Sequence, residues 1–290
     1  MKKVIYKNVY CGVEYNPFTS LYDDVYTQEE YVVDVAPPVH QREVYYSDKK
    51  AIVSGDIVEI ISYENGNFYG YEGVACGKVK SSNSKRSDNI NLAKKNLRRL
   101  INANVTGNDL FVTLTYSDNV QDVVQAKKDF KRFVKAMKRK GYSMKYVYVI
   151  EFQKRGAVHF HVIFFDCGFI DNKFLAEVWG KGFVRINRIN DVDNAGSYVV
   201  KYMDKDLVDD RLTGHDLYGR SRGLKEPIEI NNPQEVGGLL EELSGNLVYT
   251  NTFNNQYRGN CVYCQFNKKR NVNSNKWIVN TDYISRLCLA

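Results

Sequence analysis

The sequence predicts an α+β protein, with helices packed on a central antiparallel β-sheet and additions at both ends. Three observations predict it. From residue 110 to 205, short β-branched or aromatic runs alternate with segments of helical spacing, in the order β-α-β-β-α-β-α. Two adjacent strand-like runs are joined at Lys154-Arg155-Gly156, a connection too short for a parallel crossover. Finally, 43% of the 290 residues are hydrophobic, enough to bury a real core.

The elements follow in order. Residues 1 to about 50 are Tyr-rich, acidic and broken at Pro37-Pro38, and read as irregular. Ala51 to Tyr63 reads as a strand, Glu64-Asn-Gly66 as a turn, and Asn67 to Tyr71 as a second strand-like piece. Gly77 to Asn89 is a polar, basic linker. A helix is expected over Asn91 to Ala103, with Leu92, Leu97, Leu100 and Ile101 inward and Lys94, Lys95, Arg98 and Arg99 outward. Leu110 to Tyr116 is a strand.

Asp118 or Asn119 can cap a helix running to about Lys140. Its apolar stripe is Val123, Phe130, Val134 and Met137, widened by Val124 and Phe133, and seven basic residues crowd the rest. Lys145 to Gln153 and Ala157 to Phe165 form a hairpin. A short helix (Lys173 to Trp179), a strand (Gly182 to Ile189) and a helix (Asn194 to Lys205) complete the regular part. Beyond Asn231 one helix precedes Tyr-rich strand-like pieces. The chain therefore divides into an N-terminal accessory region with its basic linker (1–90), a central domain (91–230) and a C-terminal extension (231–290).

Charge is unevenly spread. Residues 1–77 carry a net −6 and the remainder +13, which points to a polyanion partner, because clustered Lys and Arg displace counterions from phosphates. The 22 tyrosines and 14 phenylalanines offer surfaces on which unpaired bases could stack. No apolar run is long enough to span a membrane, and MKKVIYKNVYCGVEYN lacks the apolar stretch of a secretory signal. The six cysteines are sparse and irregularly spaced, as expected of reduced thiols in a cytoplasmic protein. Cys261-Val-Tyr-Cys264 is only half a zinc site, with no second pair nearby. No phosphate-binding Walker loop is present, so unwinding would fall to a partner.

Two of the four histidines sit in AVHFHVIFF, residues 157–165. In a strand, i and i+2 share a face, so His159 and His161 can hold one cation between them. A third ligand is needed, and Glu151 on the preceding strand is the candidate. If the turn is three residues centred on Arg155, Glu151 lies opposite His159 on the same face; a two-residue turn would reverse that parity. Two imidazoles and a carboxylate suit Mn²⁺ better than Mg²⁺. The alternative is a pair of ordinary core or surface histidines. A histidine-triad hydrolase would need a third histidine where Ile163 stands.

Downstream, Tyr198, Lys201, Tyr202 and Lys205 fall at i, i+3, i+4 and i+7, one helical stripe. A neighbouring cation favours the phenolate, so a Tyr/Lys face can supply a nucleophile. The same pattern also describes a surface stripe with its lysine stems laid along apolar neighbours.

In combination, Phe111-Val-Thr-Leu-Thr115, His159-Phe-His161 and Tyr198-Val-Val-Lys201, in that order, resemble the HUH endonucleases. Within them they resemble the rolling-circle replication initiators (Rep proteins) of bacterial plasmids and small phages. The likeness covers residues 110 to 205, and IVSGDIVEI and Gly223-Leu-Lys-Glu-Pro-Ile-Glu-Ile230 resemble flanks of such proteins less specifically.

The resemblance implies an origin-specific nicking and joining enzyme in the cytoplasm of a bacterial host. A divalent metal, Mn²⁺ or Mg²⁺, would sit on His159, His161 and Glu151. Tyr198 would attack single-stranded, hairpin-presented origin DNA, leaving a 5′-phosphotyrosine and a free 3′-OH. Lys201 would assist. Tyr202, with Lys205 in the repeated Tyr-x-x-Lys, stands where a second nucleophile would, so either tyrosine remains open as the primary one. A host helicase and polymerase would be partners, and no membrane is involved. Lys94, Lys95, Arg98, Arg99, Lys131, Lys135 and Arg155 are the expected DNA contacts. The rival readings are an HUH transposase, a relaxase, or a non-catalytic DNA-binding regulator with this fold. Relaxases usually place the tyrosine ahead of the histidines.

Overall fold

A computed structural model describes residues 44–70, 85–189, 194–204, 210–212 and 214–270. In chain order these form β1 (Tyr45–Ser54), β2 (Ile57–Tyr69), α1 (Lys85–Asn102), β3 (Leu110–Thr115), α2 (Val123–Arg139), β4 (Lys145–Phe152), β5 (Val158–Phe165) and α3 (Asn172–Trp179). They continue with β6 (Val184–Arg188), α4 (Ala195–Asp204), β7 (Tyr218–Arg220), β8 (Ile228–Ile230), α5 (Pro233–Glu242), β9 (Leu247–Asn255) and β10 (Gly259–Asn267). The α+β class holds, but the described residues form two five-stranded sheets rather than one. The site sheet has the order β6-β3-β5-β4-β7 and the flanking sheet β8-β1-β2-β10-β9, with antiparallel neighbours throughout.

Strand alternation divides the site sheet into two faces. Val112, Leu114, Ile150, Phe160 and Phe164 point to one face, where α2 and α3 bury them under Phe130, Phe133, Met137 and Leu175. The other face is apolar at one end only. There Phe111, Val147, Ile163 and Phe165 receive Leu97, Leu100 and Ile101 of α1 and Val199 of α4. At its other end the same face carries Thr113, Glu151, His159 and His161, which line a cavity. One sheet surface thus passes from core to polar site within a few residues.

The flanking sheet joins the two ends of the chain: β2, from before the central region, pairs with β10 from after it. Helix α5 covers one face with Val236 and Leu240 on Val58, Ile60 and Phe266. Helix α1 links this sheet to the other, because Arg98 and Arg99 reach the buried Glu59 on β2.

Several expectations change. The first hairpin turns at Gly55-Asp56, with Ser54 opposite Ile57, where Gly55 takes a φ of +62°; Glu64-Asn-Gly66 stays within β2. Helix α1 begins at Lys85, inside the expected linker. Its buried stripe runs through Ile90, Ala93, Leu97 and Leu100, so Leu92 falls off it and is 50% exposed. Helix α2 is capped by Asp122, whose carboxylate accepts from Val124 and Gln125. The cap lies later than expected because Val158 N–H donates to the Val120 carbonyl, holding the preceding segment against the sheet. Val124 lies one residue off the stripe through Val123, Ala126, Phe130 and Met137, and is 47% exposed.

Candidate metal centre and tyrosine pair

The hairpin turn decides the site. Gln153 N–H donates to Ala157 O, and Gly156, at φ +90°, closes a three-residue turn centred on Arg155. The register is therefore Glu151 opposite His159 and Val149 opposite His161. Glu151, His159 and His161 bring one ligand atom each to within 4.8 Å of one another.

Each ligand is oriented by a neighbour. Thr113, opposite His161 across β3 and β5, places its Oγ1 3.3 Å from His161 Nδ1, which turns Nε2 toward Glu151 Oε2 at 2.5 Å. The Gln153 amide lies 2.6 Å from His159 Nε2. Burial and the neighbouring His161 lower the His159 pKa, against the opposing pull of Glu151, so its imidazole stays neutral near pH 7 with a lone pair to give. A carboxylate facing two imidazoles, each supported by a second hydrogen bond, is a donor set that fits a borderline divalent cation. Among the described residues no other cluster of ligands is this compact.

The tyrosine helix is held by its own N-terminus. Asn194 caps it, its carbonyl oxygen accepting from Ser197 N–H, and Asn102 of α1 accepts from Gly196 N–H. A Cβ at Gly196 would stand 2.3 Å from Arg98 O, so glycine permits this close helix crossing. Tyr198 and Tyr202 then reach the metal-type cluster. The Tyr202 ring stacks on His161 with centroids 4.0 Å apart, and both tyrosines contact Phe111. Tyr202 Oη donates to Tyr198 Oη at 3.2 Å. Burial, then the Tyr198 hydroxyl and the Glu151 charge, push the Tyr202 phenol up to about 12, against Arg185. Its proton is therefore held, and its hydroxyl serves as a donor to Tyr198.

Both tyrosines line a cavity of about 1260 Å³ with the three ligands. The remaining predicted residues are more scattered. Lys201 is exposed and is not among the residues lining the cavity; the cations there include Arg185 and Arg211. Lys205 lies outside the described residues. Arg155 lines the cavity, but its guanidinium donates to Gln153 Oε1 and to the carbonyls of Tyr116, Ser117 and Asp118. Arg98 and Arg99 are turned inward onto Glu59 rather than forming a solvated basic face. Lys94 on α1 is half-buried. Lys95, Lys131 and Lys135 are exposed, with the two on α2 lying across the sheet from the ligands. Cys261 and Cys264, three apart on β10, point to opposite faces and stay free thiols.

Four contributors to the site escaped the sequence reading. Thr113 and Gln153 orient the histidines, and Arg185 and Arg211 supply charge. Alternation along β3 and β6 could have grouped Thr113 and Arg185 on single faces, but not chosen the face. No helix among the described residues is long and apolar enough to cross a membrane.

Comparison with known proteins agrees with this geometry. No curated protein and no solved structure matches the chain. Residues 109–207, about a third of the chain, match the family model for a replication-associated protein of the ORF2 type. That span begins just before β3 and takes in the ligand cluster and the tyrosine helix. Over this segment the chain is similar to replication-associated proteins, as the motif resemblance to Rep-type rolling-circle initiators implied.

Proposed function

We propose that this chain initiates rolling-circle replication by nicking and rejoining single-stranded origin DNA through a tyrosine. The observation that carries the reading is the shared cavity: three metal-type ligands and two tyrosine hydroxyls on one sheet face. A divalent cation held by Glu151, His159 and His161 would supply Lewis-acid polarisation of a phosphodiester.

The chain's own groups do the rest. Tyr198 Oη forms a bond to phosphorus as the bond from phosphorus to the 3′ oxygen breaks. The phenol proton is given up, and the leaving oxygen gains one to become a 3′-OH. Tyr202, stacked on His161 and hydrogen-bonded to Tyr198, fixes the attacking oxygen and stabilises negative charge on it. Arg185 brings positive charge to the same wall of the cavity. Rejoining is the reverse displacement by a free 3′-OH.

The test uses the full chain, Mn²⁺ and single-stranded oligonucleotides tiled across candidate origins, with an SDS-stable protein–DNA adduct as readout. Wild type forms the adduct, Tyr198→Phe does not, and Tyr202→Phe forms it more slowly. Loss only in Tyr202→Phe would transfer the nucleophile's role to that residue. No adduct from wild type on any oligonucleotide would favour a non-catalytic DNA-binding protein.

A further inference from the structure

The cavity wall opposite β4 is β6, an edge strand whose outward side pairs with nothing among the described residues. Arg185 lies opposite Thr113 and Asn187 opposite Phe111, so both share the face that carries the ligands. Phe183, just before the strand, continues that row. Its carbonyl accepts from Thr115 N–H at 2.9 Å, and all three residues line the cavity.

The chain reaches this position through Gly182, at φ +152°, where a Cβ would stand 2.3 Å from Thr115 O. Only glycine allows that approach, and it presents Phe183 at the cavity mouth. Phe183 is 77% exposed, the most exposed large hydrophobic among the described residues. A single exposed apolar side chain means little. One followed at i+2 by an exposed arginine and at i+4 by an amide, along the rim of a phosphate-type site, is a different matter.

We propose that Phe183 and Arg185 form the seat for an unpaired nucleotide beside the phosphodiester that reaches Tyr198: its base stacks on Phe183 and a phosphate pairs with Arg185. This rests on the nicking function proposed above and names the strand that holds the substrate. An aromatic face is sequence-tolerant and requires an unstacked base, whereas a guanidinium recognises phosphate in any sequence. The two side chains lie about 6.7 Å apart along the strand, a spacing that lets one nucleotide engage both. The seat therefore selects single-stranded over duplex DNA at the cut.

The two contacts are separable by experiment. In the full-length Tyr198→Phe chain with Mn²⁺, fluorescence anisotropy measures binding of a labelled oligothymidylate of roughly 30 nucleotides, several times an OB-fold-sized site, and of an abasic strand of equal length. Adding Phe183→Ala should weaken oligothymidylate binding about tenfold, leave abasic binding unchanged, and be rescued by Phe183→Tyr. Arg185→Gln should weaken both and reduce the salt slope by about 0.7. Equal losses on both strands in Phe183→Ala, or no loss on either, would overturn the seat.

The adduct assay keeps the two proposals apart. If wild type gives no adduct while these binding differences hold, the seat stands and the nicking reading falls. If adducts form and Phe183→Ala binds both strands like its parent, nicking stands and the seat falls.

Discussion

Two glutamates on inner strands of the two sheets show how differently one side chain can be used. Glu59 on β2 is 1% exposed and surrounded by donors: Arg98 at 2.5 Å, Arg99, and the Tyr263 hydroxyl at 2.6 Å. Burial would raise its pKa, but the Arg99 hydrogen bond, the Arg98 charge and Tyr263 outweigh it and hold the carboxyl below the usual range. Glu151 on β4 instead faces two imidazoles beside an open cavity. A carboxylate saturated by donors is complete and serves to join α1 to the flanking sheet. A carboxylate set against nitrogen lone pairs is completed by a cation, so the difference in neighbours separates an architectural ion pair from a candidate catalytic centre.

Neutralising each carboxylate in turn gives the largest expected effect. Glu59→Gln leaves two partly buried arginines without their counter-charge and should cost about 3–5 kcal/mol of folding stability, read by urea denaturation, with little direct effect on Mn²⁺ binding. Glu151→Gln should behave the opposite way: stability within about 1 kcal/mol of wild type, but Mn²⁺ affinity by calorimetry reduced on the order of 10-fold or more. If both variants lost stability equally, Glu151 would be architectural too.

A smaller effect is expected one step out from the ligands. Thr113→Val keeps the shape of β3 but removes the hydroxyl at His161 Nδ1. Loss of such a supporting hydrogen bond should weaken Mn²⁺ binding by about 10–100-fold while the melting temperature stays close to wild type. An unchanged affinity would mean that ring stacking by Phe111 and Tyr202 suffices to orient His161.

The smallest effect is on acidification. Because folding lowers the Glu59 pKa, its stabilising contribution is complete above the unfolded value of about 4.3 and fades as pH falls through the lower folded value. Stability of wild type should therefore decline below about pH 4.3. Glu59→Gln should lose that part of the decline, as seen in urea midpoints measured from about pH 6 to about pH 3, a window that brackets the carboxylate range. Parallel pH profiles for the two proteins would show that Glu59 is not the acid-sensitive joint.

Much of the site was legible because it is local. The period of two in AVHFHVIFF places His159 and His161 on one face, and the turn at Lys154-Arg155-Gly156 carries Glu151 to them. The i, i+4 spacing of Tyr198 and Tyr202 puts them on one side of α4, as found. Arg98 and Arg99 were misread because a basic helix face looks the same in sequence whether it meets solvent or a buried carboxylate 40 residues away. Lys201 was grouped with the tyrosines by spacing, yet the helix places it outside the cavity wall and leaves that position to Arg185.

By itself, then, the sequence determined what short-range geometry dictates: strand parity, hairpin register, helix stripe, and with them the ligand triad and the tyrosine pair. Only the tertiary structure decided which strands became neighbours. It paired β2 with β10 across about 200 residues, set Thr113 against His161, and brought Phe183 and Arg185 to the rim of the cavity. Such choices rest on non-directional burial summed over the whole chain, which no local pattern records.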